Sequence, residues 1–178
     1  MTMPKRKLHL GCGVDIKKGY INLDKAKAPG VDVVHDLSVY PWPFKNNYFD
    51  EVYSQDVIEH VDDLWKTMKE IQRICRKGAT VRIIVPYWHS SAAFYPDHNY
   101  YFNIDSFKFF TNPTRLYDSH YCVRLIKVKD IPSKFGWLIP PIPLPKKLFP
   151  NALHLRHLMS YLLGEIVLKL DFEFKVMK

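Results

Sequence analysis

Cysteine is scarce in this 178-residue chain, which has only Cys12, Cys75 and Cys122. Three scattered thiols without metal-ligand spacing exclude a disulfide framework, give no metal site to expect, and point to a reducing, cytoplasmic setting. Long apolar runs are missing too, because prolines or charges interrupt each one, and the opening Met-Thr-Met-Pro-Lys-Arg-Lys lacks the apolar stretch of a secretory signal. Neither a membrane span nor a leader is therefore expected. Internal repeats and low-complexity tracts are absent as well. Acidic residues are outnumbered, 18 against 26 Lys and Arg, for a formal charge of +8. Such an excess favours anionic partners, nucleic acid among them. No basic cluster is dense, however, and a lysine-rich solvated surface accounts for the charge more simply.

What is present suits one ordinary domain over residues 1–178. The chain is long enough to bury a core, and 47% of its residues are hydrophobic, which excludes global disorder. Short strand-like segments lead: Lys7 to Leu10, Tyr20 to Asp24, Val31 to Val34, Phe49 to Tyr53 and Thr80 to Val85. Between the last two, Val57, Val61, Leu64, Met68, Ile71 and Cys75 recur at helical spacing. Asp62 and Asp63 suit that helix's first turn, and Arg76-Lys77-Gly78 its end. Strand, helix and strand with short links predict a parallel crossover.

The earlier links are too short for that. Nine residues, Gly11 to Gly19, join the first two strands, whereas a crossover carrying a helix needs at least about 10 to 12 residues. The sequence thus predicts loops there and one sheet face without helical cover. His9, Asn22 and Asp32 agree, since strands buried on both faces are continuously apolar. That face is expected to be partly wet, to carry self-association, or to lie beneath a helix at Leu153 to Leu163. Tyr121 to Lys129 is expected as a strand, Ile131 to Pro150 as a proline-rich loop, and Leu168 to Val176 as a final strand antiparallel to 121–129.

Gly11-Cys12-Gly13 follows the first strand, and Asp24 ends the second. A glycine turn lets the backbone approach a ligand, while an adjacent carboxylate can accept hydrogen bonds from a ribose. The pair predicts a nucleotide-type cofactor site. Asp36-Leu37 follows the third strand, and Ser54-Gln55-Asp56-Val57-Ile58-Glu59-His60-Val61 follows the fourth.

With these motifs in this order, the chain resembles the class I S-adenosylmethionine-dependent methyltransferases over residues 7–110. It is most similar to the compact, type 11-like group with Leu-Gly-Cys-Gly and Glu-His-Val elements. The resemblance implies an α/β, Rossmann-like sheet, mostly parallel with an antiparallel C-terminal strand and trimmed N-terminal crossover helices. Residues 7–86 would be the cofactor half, and 87–178 the substrate side. S-adenosyl-L-methionine would be bound by Gly11, Cys12, Gly13, Asp24, Asp36, Leu37, Ser54 and Gln55. Asp24 would meet the ribose, Asp36 and the Leu37 backbone the adenine, and Ser54 and Gln55 the methionine ammonium. Two positions depart from the family: His9 stands where an acid is frequent, and Asp15 where a third glycine is. Ile16, where a dinucleotide fingerprint needs glycine, argues against a nicotinamide or flavin site.

Methyl transfer from a sulfonium releases a neutral thioether, so alignment matters more than acid catalysis. No catalytic residue is fixed by sequence. His60, His89, His98 and Tyr87 are candidates by their place at the carboxyl edge, and each also suits a packing role. Glu59 suits helix entry. The aromatic stretch Tyr87 to Phe110 serves as acceptor wall or as local core. The expected reaction is methylation of a small or medium organic acceptor. The alternatives are an RNA methyltransferase or a non-catalytic S-adenosylmethionine-binding scaffold.

Overall fold

The computed structural model describes residues 6–111, 123–134, 136–145, 147, 155–163 and 165–178. Seven strands form one sheet in the order β3-β2-β1-β4-β5-β7-β6. They are β1 (Lys7–Leu10), β2 (Ile21–Asp24), β3 (Val33–Val34), β4 (Phe49–Gln55), β5 (Cys75–Pro86), β6 (Val123–Pro132) and β7 (Val167–Val176). The first five pair in parallel, and β7 lies antiparallel to both β5 and β6. This is the Rossmann-like sheet expected from sequence, mostly parallel with an antiparallel C-terminal strand. The beginning expected for β6, Tyr121 and Cys122, and that of the last helix, at Leu153, lie outside the described residues.

The apolar face of the sheet carries Leu8 and Leu10, Leu23, Val52, Val81 and Ile83, Phe172 and Phe174, all buried. Helix α1 (Leu64–Ile74) packs Leu64, Met68 and Ile71 into this core, and Phe102, Phe107 and Phe110 extend it. Phe107 meets Phe172 and Phe174 at ring separations of 4.8 and 5.3 Å. A buried aromatic contributes roughly 1.5–3 kcal/mol by area alone, so this cluster anchors the aromatic segment to β7. That segment is therefore core at Phe102, Phe107 and Phe110, while Phe94, Tyr95 and Tyr101 remain exposed.

The helix is shorter than its periodicity suggests. Asp63 caps it by accepting from the Lys66 N–H at 2.9 Å. Val57 and Val61 precede it, flanking a 3₁₀ turn at Ile58–His60. Its last carbonyls, of Arg73 and Ile74, accept from the Asn47 and Tyr48 N–H groups, and Lys178 Nζ donates to those of Arg73 and Cys75. With its end satisfied from outside, the helix stops at Ile74, and Arg76-Lys77-Gly78 open β5 across a register shift rather than ending α1.

No helix joins β1 to β2 or β2 to β3, as the link lengths predict. The polar face nevertheless is not bare there. Residues 13–20 fold against it around Asn22, whose side chain accepts from the Lys17 N–H at 2.9 Å and donates to the Lys17 and Tyr20 carbonyls, each at 3.2 Å. Lys17 Nζ lies 4.6 Å from the Tyr53 ring centroid, and Tyr20 packs edge-on to His9. Helix α2 (Lys108–Thr111) is a single turn. Helix α3 (Leu155–Leu163) does not cover the polar face: Arg156 pairs with Asp130, which lies opposite Leu170 on the apolar side, and His157 meets Tyr87. Among the described residues no helix is long and apolar enough to cross a membrane.

Candidate functional site

The strand ends at the carboxyl edge of β1, β2 and β4 surround a cavity of about 460 Å³. Its walls include Gly11, Asp24, Asp36, Leu37 and His60, five of the residues singled out from sequence. Gly11 stands at φ +58°, and a methyl there would lie 2.4 Å from Val57 Cγ2, so the turn needs glycine for both backbone and space. Gly13 adjoins it and donates its N–H to Asp24 Oδ2 at 2.8 Å. The other carboxylate oxygen of Asp24 accepts from the Ala26 N–H at 2.9 Å. Two backbone donors thus hold the carboxylate in one orientation, one on each oxygen, and each oxygen keeps lone-pair capacity for another donor.

Asp36 begins a turn by accepting from the Ser38 N–H at 2.9 Å. Leu37 is fixed behind it, because its carbonyl accepts from the indole of Trp42 at 3.0 Å. Arg73 in turn holds the Trp42 and Phe44 carbonyls, at 3.0 and 2.7 Å, so α1 braces this wall of the cavity.

Other expected residues lie apart from the cavity. Cys12 is buried beneath the turn, its N–H donating to the Leu23 carbonyl. Ser54 points into the core, and its hydroxyl has no hydrogen-bond partner among the described residues. Gln55 faces the polar side, where it accepts from the Tyr53 hydroxyl at 2.5 Å and donates to Asp56. Since β4 runs on to Gln55, the first residue free of the strand is Asp56. That residue takes a left-handed φ of +54° and lines the cavity together with Val57. A strand boundary two residues late brings 56–57, rather than 54–55, to the cavity wall. Asp tolerates this backbone better than most residues, and that is the signal available in sequence. Tyr87 is buried, with its hydroxyl 2.8 Å from His157 Nε2. His89 packs edge-on to Trp88. His98 lies 4.6 Å, ring to ring, from His60.

Asp62 and Asp97 complete the cavity's acidic side. Among the described lining residues five aspartates, at 24, 36, 56, 62 and 97, stand against one lysine, Lys25, and Asp56 is in addition paired with Lys169. Beneath them the Glu59 carboxyl is buried, and burial pushes its pKa up to about 7, with the charge of Asp56 adding to the shift. Neither Glu59 oxygen has a hydrogen-bond partner among the described residues.

A methyltransferase-domain family model matches residues 4–83. Among solved structures, an S-adenosylmethionine-dependent methyltransferase from Archaeoglobus fulgidus is similar at a TM-score of 0.68 and 16% identity, covering 97% of this chain and 86% of that one. Phosphoethanolamine N-methyltransferase 2 of Haemonchus contortus, solved with S-adenosyl-L-methionine, matches at a TM-score of 0.61 and 17% identity, over 100% of this chain and 50% of that one. The [4+2]-cyclase SpnF shares the fold too, at a TM-score of 0.60 and 10% identity, over 97% and 74% of the two chains. A search of curated proteins gives no match. The sheet order and the methyltransferase domain matched at residues 4–83 together support a class I S-adenosylmethionine-dependent methyltransferase.

Proposed function

We propose that this chain transfers the methyl group of S-adenosylmethionine to a small or medium organic acceptor that is not a polyanion. One observation carries the reading: the cavity at the carboxyl edge is acid-lined, with Asp24 held at its floor by two backbone N–H groups. Bound there, S-adenosylmethionine would supply a cationic sulfonium whose methyl is the electrophile. Asp24 would accept the two ribose hydroxyls, Asp36 and Leu37 would flank the adenine, and Gly11 would leave room for the methionine end. The surrounding carboxylates favour the cofactor's positive charge.

The chain's overall charge of +8 suggests nucleic acid, yet the sign reverses locally. The aspartates of the lining, four of them besides the Lys169-paired Asp56, oppose a phosphate backbone, whose binding rests on Lys and Arg. Exposed Tyr95, against His98, and exposed Phe94, against Tyr101, offer an apolar surface close in sequence to the cavity residue Asp97. A fold shared with a cyclase shows that sheet order does not fix the reaction, so the test must read chemistry as well as binding.

Isothermal titration is expected to show S-adenosylhomocysteine binding that weakens at least about tenfold in Asp24→Ala, the cost of a charge-assisted pair. Equal affinity in that variant removes the ribose contact. Radiolabelled methyl transfer into size-fractionated cell extract is expected to label small molecules. Label in RNA overturns the acceptor class, and label in no fraction leaves a cofactor-binding scaffold.

A further inference from the structure

We propose that Glu59, His60 and His98 form a binding site for a zinc-class divalent cation beside the cavity, which His60 lines. Each residue offers one ligand atom, and these three atoms lie within 4.8 Å of one another. Tetrahedral ligands about 2.1 Å from a zinc ion stand roughly 3.4 Å apart, so side-chain adjustment of about 1.4 Å or less closes the set. Two imidazoles and a carboxylate are a donor set typical of zinc and other late divalent metals, and they leave at least one coordination position for water or another ligand.

Each histidine is oriented for such a role. His60 Nδ1 lies 3.1 Å from the Asp97 carbonyl and 3.3 Å from its carboxylate. His98 Nδ1 lies 3.1 Å from the Ala93 carbonyl. A carbonyl oxygen can only accept, so Nδ1 carries the proton on both rings and Nε2 keeps its lone pair. This is the outer-shell arrangement that aims metal-binding histidines.

Glu59 supplies the independent observation. It is 1% exposed, and both carboxylate oxygens are buried without a hydrogen-bond partner among the described residues. A buried carboxylate left unpaired is costly, and a cation beside it removes that cost. Asp56, whose Oδ1 is likewise buried and unpaired among the described residues, adds negative potential, while Lys169 neutralises its other oxygen.

The backbone holds the set together without any metal. The Glu59 carbonyl accepts from the Asn99 and Tyr100 N–H groups at 2.8 and 3.2 Å, and Asn99 Nδ2 donates to the His60 and Val61 carbonyls. These bonds bring residues 97–100 against the 3₁₀ turn at Ile58–His60. No cysteine takes part, and the histidines are 38 positions apart, so ligand spacing along the chain gives no sign of the site.

Chelator-stripped, untagged protein titrated calorimetrically with Zn²⁺, with no methyl donor present, tests this apart from the methyl-transfer reading. One ion per chain is expected, with affinity reduced about tenfold or more in both His60→Ala and His98→Ala. Glu59→Gln preserves side-chain volume and is expected to weaken binding similarly. In the wild-type chain, histidine nitrogen NMR should show zinc moving the Nε2 signals of His60 and His98 while their Nδ1 protons stay. Absence of one-to-one binding, wild-type affinity in folded His98→Ala, or unmoved Nε2 signals overturns the site.

Discussion

Arg82 on β5 and Asp171 on β7 are joined by two hydrogen bonds, Nε to Oδ1 at 2.9 Å and Nη2 to Oδ2 at 2.7 Å, on the sheet face opposite α1. Their exposure is unequal: the arginine side chain is 48% exposed and the aspartate 8%. This face carries charge in the middle of a sheet, and the pair satisfies it.

That inequality makes the two ends of the bond unequal in cost. Removing the arginine strands a buried carboxylate, whereas removing the aspartate's charge leaves a guanidinium that water can reach. Arg82→Met is expected to destabilise the fold by about 2 kcal/mol and Asp171→Asn by about 1 kcal/mol. Urea unfolding of both variants checks the order. Equal losses would mean that Lys129, the cross-strand neighbour of Asp171, takes over the carboxylate.

His9 makes stability depend on pH. It is buried in β1 with Nδ1 3.3 Å from Asn22 Oδ1 and its ring edge-on to Tyr53 and Tyr20. Burial lowers its pKa from 6.5. The Asn22 bond opposes that shift, the charge of Lys17 adds to it, and Asp15 and Asp24 oppose it weakly. Between the folded and unfolded pKa values the unfolded chain holds the extra proton, so this contribution is present above pH 6.5 and is lost on acidification. The loss is at most about 1.4 kcal/mol per pH unit. Glu59, with its raised pKa, acts in the opposite sense, its contribution falling as pH rises towards 7. Unfolding of wild type and His9→Gln from pH 5 to 8 cancels Glu59 and isolates His9. The difference between them is expected to shrink below pH 6.5, and a constant difference refutes it.

The same residues show what sequence could and could not tell. The missing crossover helices were legible because link length limits what a crossover can hold: the ten residues between β1 and β2 leave no room for a helix of useful length together with its turns. The cover of the polar face was not legible. It depends on Asn22 organising residues 13–20 through three side-chain bonds, and no periodicity encodes that. At the cavity, Gly11, Asp24, Asp36 and Leu37 sit where strand ends place them. Ser54 and Gln55 do not, because β4 runs two residues further than its β-branched segment suggests. His60 and His98 meet through the backbone and side-chain bonds of residues 97–100, a tertiary contact outside any local pattern.

The glycine turn offers the sharpest comparison of backbone strain with space. Gly11 and Gly13 share a left-handed backbone, at φ +58° and +50°. An added methyl at Gly13 meets nothing within 4 Å, whereas at Gly11 it strikes both Val57 methyls, at 2.4 and 2.8 Å. Gly13→Ala therefore carries only the conformational cost of about 1–2 kcal/mol. Gly11→Ala adds a clash that moves Val57, a wall of the cavity, and should cost roughly 1–3 kcal/mol more. Trimming the obstacle separates the two terms. Gly11→Ala with Val57→Ala is expected to recover the clash but not the strain, so its loss relative to Val57→Ala alone should fall to that of Gly13→Ala. Thermal unfolding of the four variants measures this. If Gly11→Ala is no worse than Gly13→Ala, Val57 is free to retreat and the tight packing of the turn against Val57 is not what requires glycine there.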